Sequence, residues 1–305
     1  MHRFLARRLL LLVPIFFGVS VLIFLFMNLL PGDPARILAG EGATAEDIRN
    51  ITLKFGLDQP LPVQYGLFMR GVFSGDLRSL RTERPVLELI FPAFRNTIQL
   101  ALISILIAAL LGVSMGIFAA VKRNSWIDNL VMSLSLFGVS MPVFWLGILL
   151  IILFSMTWRL LPAGGIGTFR HIILPAVTLG MATAAIIARM TRASMLQVLN
   201  QDYIRTAQAY GLSTNKIIYK YALKNAMIPI VTIVGLQFGY MLGGAVLTES
   251  VFGWPGVGRM VVDSIFSRDY TVVQTGIMII ALSFVLVNLT VDITYAFLDP
   301  RVRRG

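Results

Sequence analysis

Residues Asn96–Val121 read NTIQLALISILIAALLGVSMGIFAAV, a run without a single charged side chain. Because the hydrocarbon core of a bilayer is about 30 Å thick and a helix rises about 1.5 Å per residue, roughly 20 apolar residues span it. The whole chain has this character, since 57% of its 305 residues are hydrophobic and 13% are charged. That charged fraction is about half of what a soluble domain carries. The sequence therefore predicts an all-α, polytopic membrane protein.

Stretches of this kind predict six transmembrane helices. They cover residues 9–30, 96–121, 129–158, 171–188, 225–248 and 270–297, the last being charge-free over Tyr270–Val291. The main connecting segments are the tail 1–8, an outer cap 31–95, an inner loop 189–224, an outer loop 249–269 and the tail 298–305. Small residues recur in the spans, at Gly112, Gly116, Gly180, Gly235 and Gly239 among others, and predict closely packed helices.

Basic residues concentrate in the segments that one orientation places on the same side. With the N-terminus inside, those segments hold 14 lysines and arginines against three aspartates. An excess of Lys and Arg in short cytoplasmic loops is the usual topological signal of membrane proteins. We therefore expect both termini to be cytoplasmic, and the net charge of +11 to reflect topology rather than nucleic-acid binding.

Residues for several kinds of chemistry are scarce. The chain has no cysteine, two histidines (His2 and His171) and no Gly-Lys dipeptide, so it lacks thiolate sites and a phosphate-binding loop. If ATP drives this protein, another chain hydrolyses it. The alternative is an ion-coupled secondary carrier or channel, which needs titratable groups near mid-membrane. No predicted span carries a charge in its middle, which argues against that alternative and against an intramembrane enzyme.

The inner loop predicts a helix-turn-helix. A first helix is expected from Arg192 to Tyr210, a turn at Gly211, and a second helix that Ser213 caps. Lys216, Lys220 and Lys224 then recur every four residues on one face. Like charges at that spacing repel by a few tenths of a kcal/mol, so an acidic partner or anionic lipid headgroups should compensate them.

The outer cap predicts ordered structure. Pro31–Pro34 reads as a rigid turn, and Thr44 is placed to cap a helix with acidic residues in its first turn and Gly56 at its end. A second helix is expected to start near Pro60. The cap is either a lid that packs on the outer mouth or a docking surface for a partner.

The inner loop also resembles a known family. Residues 202–212 (DYIRTAQAYGL) with 222–229 (ALKNAMIP) are similar to the "EAA" loop of binding-protein-dependent ABC importer permeases, most closely the dipeptide, oligopeptide, glutathione and nickel branch. The resemblance continues in LPGDPA at 30–35, GLDQPL at 56–61, KRN at 122–124 with Asp128, ILP at 173–175, WPG at 254–256 with Gly258, and DPR at 299–301. The long outer cap is similar to the B-type permease of the pair that such systems use.

This resemblance implies a type I-like importer permease fold with residues 96–305 as the permease core, in the inner membrane. It implies a paralogous permease partner, one or two ATPase subunits that bind ATP and Mg, an extracytoplasmic binding protein, and no cofactor on this chain. The residues that it assigns to ATPase coupling are Arg205, Thr206, Ala207, Ala209, Gly211 and Leu212, to which we add Lys216. Polar residues within the spans are candidates for the translocation path: Gln99, Ser140, Gln237 and Asn288.

Overall fold

The computed structural model describes residues 2–29, 35 and 43–298, and within them it is helical, with no β-strand. The helices, in chain order, are α1 His2–Leu29, α2 Ala45–Phe55, α3 Leu61–Ser74, α4 Val86–Val121, α5 Trp126–Ser140, α6 Val143–Thr157, α7 Arg170–Leu199, α8 Asp202–Ala209, α9 Thr214–Gly244, α10 Val246–Val251, α11 Val257–Phe266 and α12 Tyr270–Leu298. Ile151–Thr157 in α6 and Ile217–Ala222 in α9 are π-helical. The predicted all-α class is confirmed.

Within the described residues, four helices are individually long and apolar enough to cross a membrane: α4, α7, α9, and α12 over Tyr270–Val291. The helices α5 and α6 pass the same test only as a pair that is bent by 103°. In α1 the apolar stretch with described side chains is shorter and covers Leu10–Phe26. The membrane-spanning class is thus confirmed, while the described residues do not reproduce six unbroken spans.

The predicted third span, 129–158, is broken rather than continuous. The chain turns at Met141, which has extended backbone angles (φ −79°, ψ 128°), and α6 starts behind Pro142. Proline lacks the N–H that a helix needs and disfavours helical angles in the residue before it. The break therefore follows from Pro142, at which the sequence allows a kink within the predicted span.

The helix that contains the predicted fourth span continues into the segment predicted as the inner loop. A helix over Arg192–Tyr210 is wrong, because α7 continues unbroken to Leu199 and Gln201 is extended (φ −77°, ψ 150°). The buried stripe of α7 does not end at residue 188 but continues through Thr191 and Met195. Packing therefore extends the helix past Arg189 and Arg192, which follow the predicted fourth span.

Packing divides the chain into two compact units. The first comprises Met1–Leu5, Ile98–Trp254 and Ser283–Gly305, and the second Ala6–Thr97 and Pro255–Leu282. In the first unit the small residues of α4 face α7 at close range. A Cβ atom at Gly116 would lie 2.6 Å from the carbonyl oxygen of Ala188, and one at Gly112 would lie 2.6 Å from that of Ala184. The predicted close packing is confirmed for these helices.

The second unit contains the cap helices. Thr44 and Asp47 form a reciprocal capping box at the start of α2, and Gly56 ends it in the left-handed conformation (φ 63°). Hydrogen bonds that the Thr44 hydroxyl and backbone N–H donate lower the pKa of Asp47. α3 begins at Leu61, with Pro60 in the N-cap position, close to the prediction. The turn predicted for Pro31–Pro34 and the motif at 299–301 lie outside the described residues. Of the motif at 30–35, the structure describes Ala35 alone.

The second unit has its own core. Val86 and Ile90 of α4 pack with Val257, Val261 and Val273. The buried carboxylate of Asp269 accepts hydrogen bonds from the Ser79 hydroxyl (2.5 Å) and the Leu80 N–H (3.1 Å). These contacts join the cap to the segment before α12.

Candidate functional site

α8, the turn that follows it and the start of α9 form a hairpin, and α8 has two unlike faces. Ile204 and Ala207 lie on its buried side, with exposed fractions of 1% and 6%. The other side chains of α8 are exposed, namely Asp202, Tyr203, Arg205, Thr206, Gln208 and Ala209. Two apolar residues spaced three positions apart in an otherwise polar helix lie on one face and leave the opposite face polar. α8 therefore packs on the protein through one side and presents a polar face outward.

An apolar cluster anchors this hairpin. It includes Met195 of α7, Ile204 and Ala207 of α8, Ile217, Ile218 and Ala222 of α9, and Ile117 and Ala120 of α4. Full burial of one isoleucine side chain stabilises a fold by about 1.5–3 kcal/mol. Because several such side chains meet under α8, this helix is packed against α7 and α9 and is not part of a loose loop.

Gly211 closes the turn between α8 and α9. Its φ of +73° lies in the left-handed region, which residues with a side chain rarely adopt. The Gly211 N–H donates to the Gln208 carbonyl (2.9 Å), and the Leu212 N–H donates to that of Ala207 (3.3 Å). A Cβ atom at Gly211 would meet nothing within 4 Å, so the backbone angle and not crowding requires glycine. The predicted turn is confirmed.

The start of α9 carries the predicted basic strip. Lys216, Lys220 and Lys224 are all exposed, as their spacing indicated. Ser213 occupies the N-cap position, but its side chain makes no capping hydrogen bond. Ser213 therefore lies at the predicted N-cap position, but the prediction that its side chain caps the helix is wrong.

The structure divides the predicted coupling residues into two sets. Those exposed to solvent are Arg205, Thr206, Ala209, Gly211 and Lys216. Ala207 is buried and Leu212 half-buried, and both pack against the apolar cluster. The second set can position the hairpin but offers little surface to another molecule. The Thr206 hydroxyl donates to the Asp202 carbonyl within α8 (3.0 Å).

Sequence reasoning did not single out two tyrosines at this site. Tyr210 is 82% exposed at the end of α8, and Tyr203 is 40% exposed near its start. Exposed aromatic side chains are enriched at protein interfaces. Their spacing places both tyrosines on the same side of a helix, and this was the signal in the sequence that could have found them.

A buried ion pair lies between α5 and α7, in the same unit. Arg192 donates from Nε to Asp128 Oδ1 (2.5 Å) and from Nη2 to Asp128 Oδ2 (2.7 Å). The Asp128 side chain is 2% exposed and that of Arg192 25%. Removing one partner of a buried pair leaves an uncompensated charge, at a cost of about 3–5 kcal/mol. Sequence reasoning missed this pair because its members are 64 residues apart.

The candidates for the translocation path lie on four different helices of the first unit. Gln99 of α4 and Ser140 of α5 are exposed, while Gln237 of α9 and Asn288 of α12 are half-buried. The Asn288 Oδ1 atom is buried without a hydrogen-bond partner among the described residues. α9 and α12 meet closely here, since a Cβ atom at Gly239 would lie 3.2 Å from the Phe284 ring.

Apolar helices of membrane-spanning length and an exposed, anchored hairpin define this chain as a polytopic α-helical membrane protein. Residues 112–304 match the family described as binding-protein-dependent transport system inner membrane component. Residues 1–104 match the N-terminal family of the same membrane component. The chain belongs to this family and is a permease of an ABC transport system.

Full-length relatives support the assignment. The chain is 44% identical to the dipeptide transport system permease protein DppB of Alkalihalophilus pseudofirmus, over 97% of this chain and 98% of that protein. It is 47% identical to the glutathione transport system permease protein GsiC of Escherichia coli, over 99% of both chains. The resemblance on which the sequence prediction rested is confirmed.

Solved structures agree on the fold. The methionine ABC transporter MetNI, in inward-facing conformations, matches 71% of this chain and 99% of its own chain with a TM-score of 0.61 and 19% identity. An amino acid ABC transporter solved with histidines matches 70% of this chain and 94% of its own with a TM-score of 0.50 and 20% identity. The described helices thus adopt the fold of ABC transporter membrane subunits.

Proposed function

We propose that this chain is the permease subunit of an ATP-driven importer that moves peptides, of the dipeptide or glutathione type, across the cytoplasmic membrane. The observation that carries the proposal is the 44–47% identity to DppB and GsiC over nearly the whole chain. Two permeases named for small peptidic substrates favour that substrate class over others. The chain itself is no enzyme in this proposal, and separate ATPase subunits bind ATP and Mg.

In the proposal the hairpin is cytoplasmic and α8 seats on an ATPase subunit. The polar outer face of α8 supports this, because Arg205, Thr206 and Ala209 are exposed while Ile204 anchors the helix from beneath. Gly211 and Leu212 fix its orientation. Lys216 with Lys220 and Lys224 adds a basic strip for an acidic surface of the ATPase or for anionic headgroups.

The transport step follows by population shift. ATP-bound and ATP-free states of the ATPase pair bind the hairpin in different positions, so they favour different packings of the spans. One packing opens inward, and the other opens toward a substrate-loaded binding protein outside. Gln99, Ser140, Gln237 and Asn288 are the proposed polar positions along the path. A paralogous permease completes the channel, and both termini of this chain lie inside.

Uptake by vesicles tests the proposal. The chain is reconstituted with its partner permease, ATPase subunits and binding protein, and accumulation of labelled dipeptides and of glutathione is measured with and without internal ATP. We expect accumulation that needs ATP, the ATPase and the binding protein together. Accumulation by this chain alone, driven by an ion gradient, would instead support a secondary carrier.

A further inference from the structure

We propose that Asp128 and Arg192 are positioning residues that join α5 to the hairpin, so that both move as one body during transport. The inference rests on the proposed function in one respect, namely that an ATPase moves the hairpin. It assigns to a buried ion pair the task of carrying that movement to the bent α5–α6 segment.

α7 takes part both in the ion pair with α5 and in the apolar cluster under α8. Arg192 lies in α7 one turn before Met195, which is fully buried in the cluster under α8. α7 is an unbroken α-helix across both positions. Because a helix is stiff over one turn, Arg192 is held in a fixed relation to the apolar cluster that anchors α8.

The Asp128 carboxylate is held by three hydrogen bonds. Both of its carboxylate oxygens receive Arg192 donors, and Oδ2 also accepts the Asn124 N–H (2.9 Å). Asn124 adopts a left-handed conformation (φ 60°) that brings its N–H to this carboxylate. A bidentate arginine–carboxylate pair fixes orientation as well as distance. The start of α5 is therefore held against α7 at a fixed orientation as well as a fixed distance.

α5 also contacts α7 at its other end. Gly138, near the end of α5, approaches α7 again, since its Cβ position lies 3.4 Å from the Ala185 Cβ. Pro142 and the 103° bend come directly after α5. Two contacts near opposite ends of α5 make it travel with α7, and the bend then turns that movement into a displacement of α6.

The test uses a disulfide, since this chain contributes no cysteine of its own. Gly138→Cys with Ala185→Cys places two Cβ atoms close to the disulfide separation of about 3.5–4.5 Å. In the reconstituted complex we expect this bond to form equally fast with and without an ATP analogue, and uptake to survive it. Loss of uptake on oxidation, with recovery under reductant, would show that α5 and α7 must slide and would overturn the proposal.

The ion pair is then removed. In Asp128→Asn and in Arg192→Gln we expect uptake per ATP hydrolysed to fall about tenfold, and disulfide formation to become nucleotide-dependent. Oxidation of the cysteine pair in the Asp128→Asn background should restore uptake. Arg192→Lys, which keeps the charge without the bidentate geometry, should give an intermediate loss. The matched control is Arg84→Gln with Glu88→Gln, an exposed pair at 3.8 Å, which should change neither readout.

Two failures are separable in this design. If the unmodified complex takes up peptide with ATP, yet Asp128→Asn does the same at full efficiency, the ion-pair proposal is wrong and the proposed function stands. If the unmodified complex shows no ATP-dependent uptake, the proposed function fails with it. Variants that fold poorly are recognised by their low recovery in detergent, and Arg192→Lys then replaces them. A disulfide rate that depends on nucleotide in Arg192→Lys supports the ion-pair proposal, and a rate that does not depend on nucleotide contradicts it.

Discussion

Asn225 of α9 donates a hydrogen bond from Nδ2 to the hydroxyl of Tyr203 on α8, at 2.8 Å. This bond joins the two arms of the hairpin on its exposed side, while the apolar cluster joins them on the buried side. α8 is thus held from two directions. A helix held in this way can transmit a displacement, which is the property that a docking helix of a transporter requires.

The turn at Gly211 gives the first prediction. Gly211→Val places a β-branched residue at φ +73°, a conformation that costs about 1–3 kcal/mol, so the hairpin should shift to relieve it. We expect ATP hydrolysis to continue while peptide uptake falls severalfold. Gly211→Asn is the matched control, because asparagine tolerates this region best after glycine. Equal uptake in both variants, with the protein present in the membrane, would show that the turn does not serve coupling.

The buried face of α8 gives the second prediction. Ile204→Ala removes a side chain that is 1% exposed, and truncation of such a residue costs about 2–5 kcal/mol. We expect weaker retention of the ATPase subunits during purification. Arg205→Ala, on the exposed face, keeps the cluster intact and should leave the thermal stability of the isolated permease unchanged. A stability loss as large in Arg205→Ala as in Ile204→Ala would contradict the two-faced description of α8.

The basic strip gives the third prediction. Reversal of Lys216, Lys220 and Lys224 to glutamate should weaken recovery of the ATPase complex on a sizing column, more so at low salt than at high salt. Neutral glutamine variants should show a smaller loss. If recovery of the ATPase complex is unchanged in the glutamate variant, the strip serves lipid headgroups and not the ATPase.

The contact between α4 and α7 gives the fourth prediction. In Gly116→Ala the added methyl group would lie 2.6 Å from the Ala188 carbonyl oxygen. This oxygen belongs to the backbone of α7, so it cannot move away without displacing the helix. We expect a lower melting temperature and reduced membrane yield. Gly18→Ala is the control, since a Cβ atom there meets nothing within 4 Å. A melting temperature equal in the two variants would show that α4 and α7 do not pack as described.

Local features of this fold were predictable from the sequence, and features that depend on packing were not. The Thr44 cap, the Gly56 stop and the Gly211 turn each follow from the chemistry of a few neighbouring residues, and the structure contains all three. Pro142 allowed a kink within the predicted third span, but the size of the bend, 103°, was not predicted. The sequence predicted a span over 171–188 but not that its helix continues to Leu199, where packing and the pairing of Arg192 with Asp128 extend it.

The candidate site shows the same division. The sequence predicted that the hairpin exists and where it turns, because the helical period and glycine specify both. It did not predict that Ala207 faces inward and Tyr210 outward, since the inward direction depends on the cluster that α7 and α9 provide. Residue pairs far apart in the chain, such as Asp128 and Arg192, depend on which helices become neighbours.

The central claim is that the outer face of α8 binds the ATPase subunit, and a site-specific cross-link tests it most directly. Arg205→Cys introduces one thiol into a chain that has none. The thiol carries a short photoactivatable cross-linker in native membranes, and the products are identified by mass spectrometry. The account predicts a cross-link to an ABC ATPase subunit, whereas Arg81→Cys in the cap gives none. A cross-link to the ATPase from Arg81→Cys, with none from Arg205→Cys, would contradict the account.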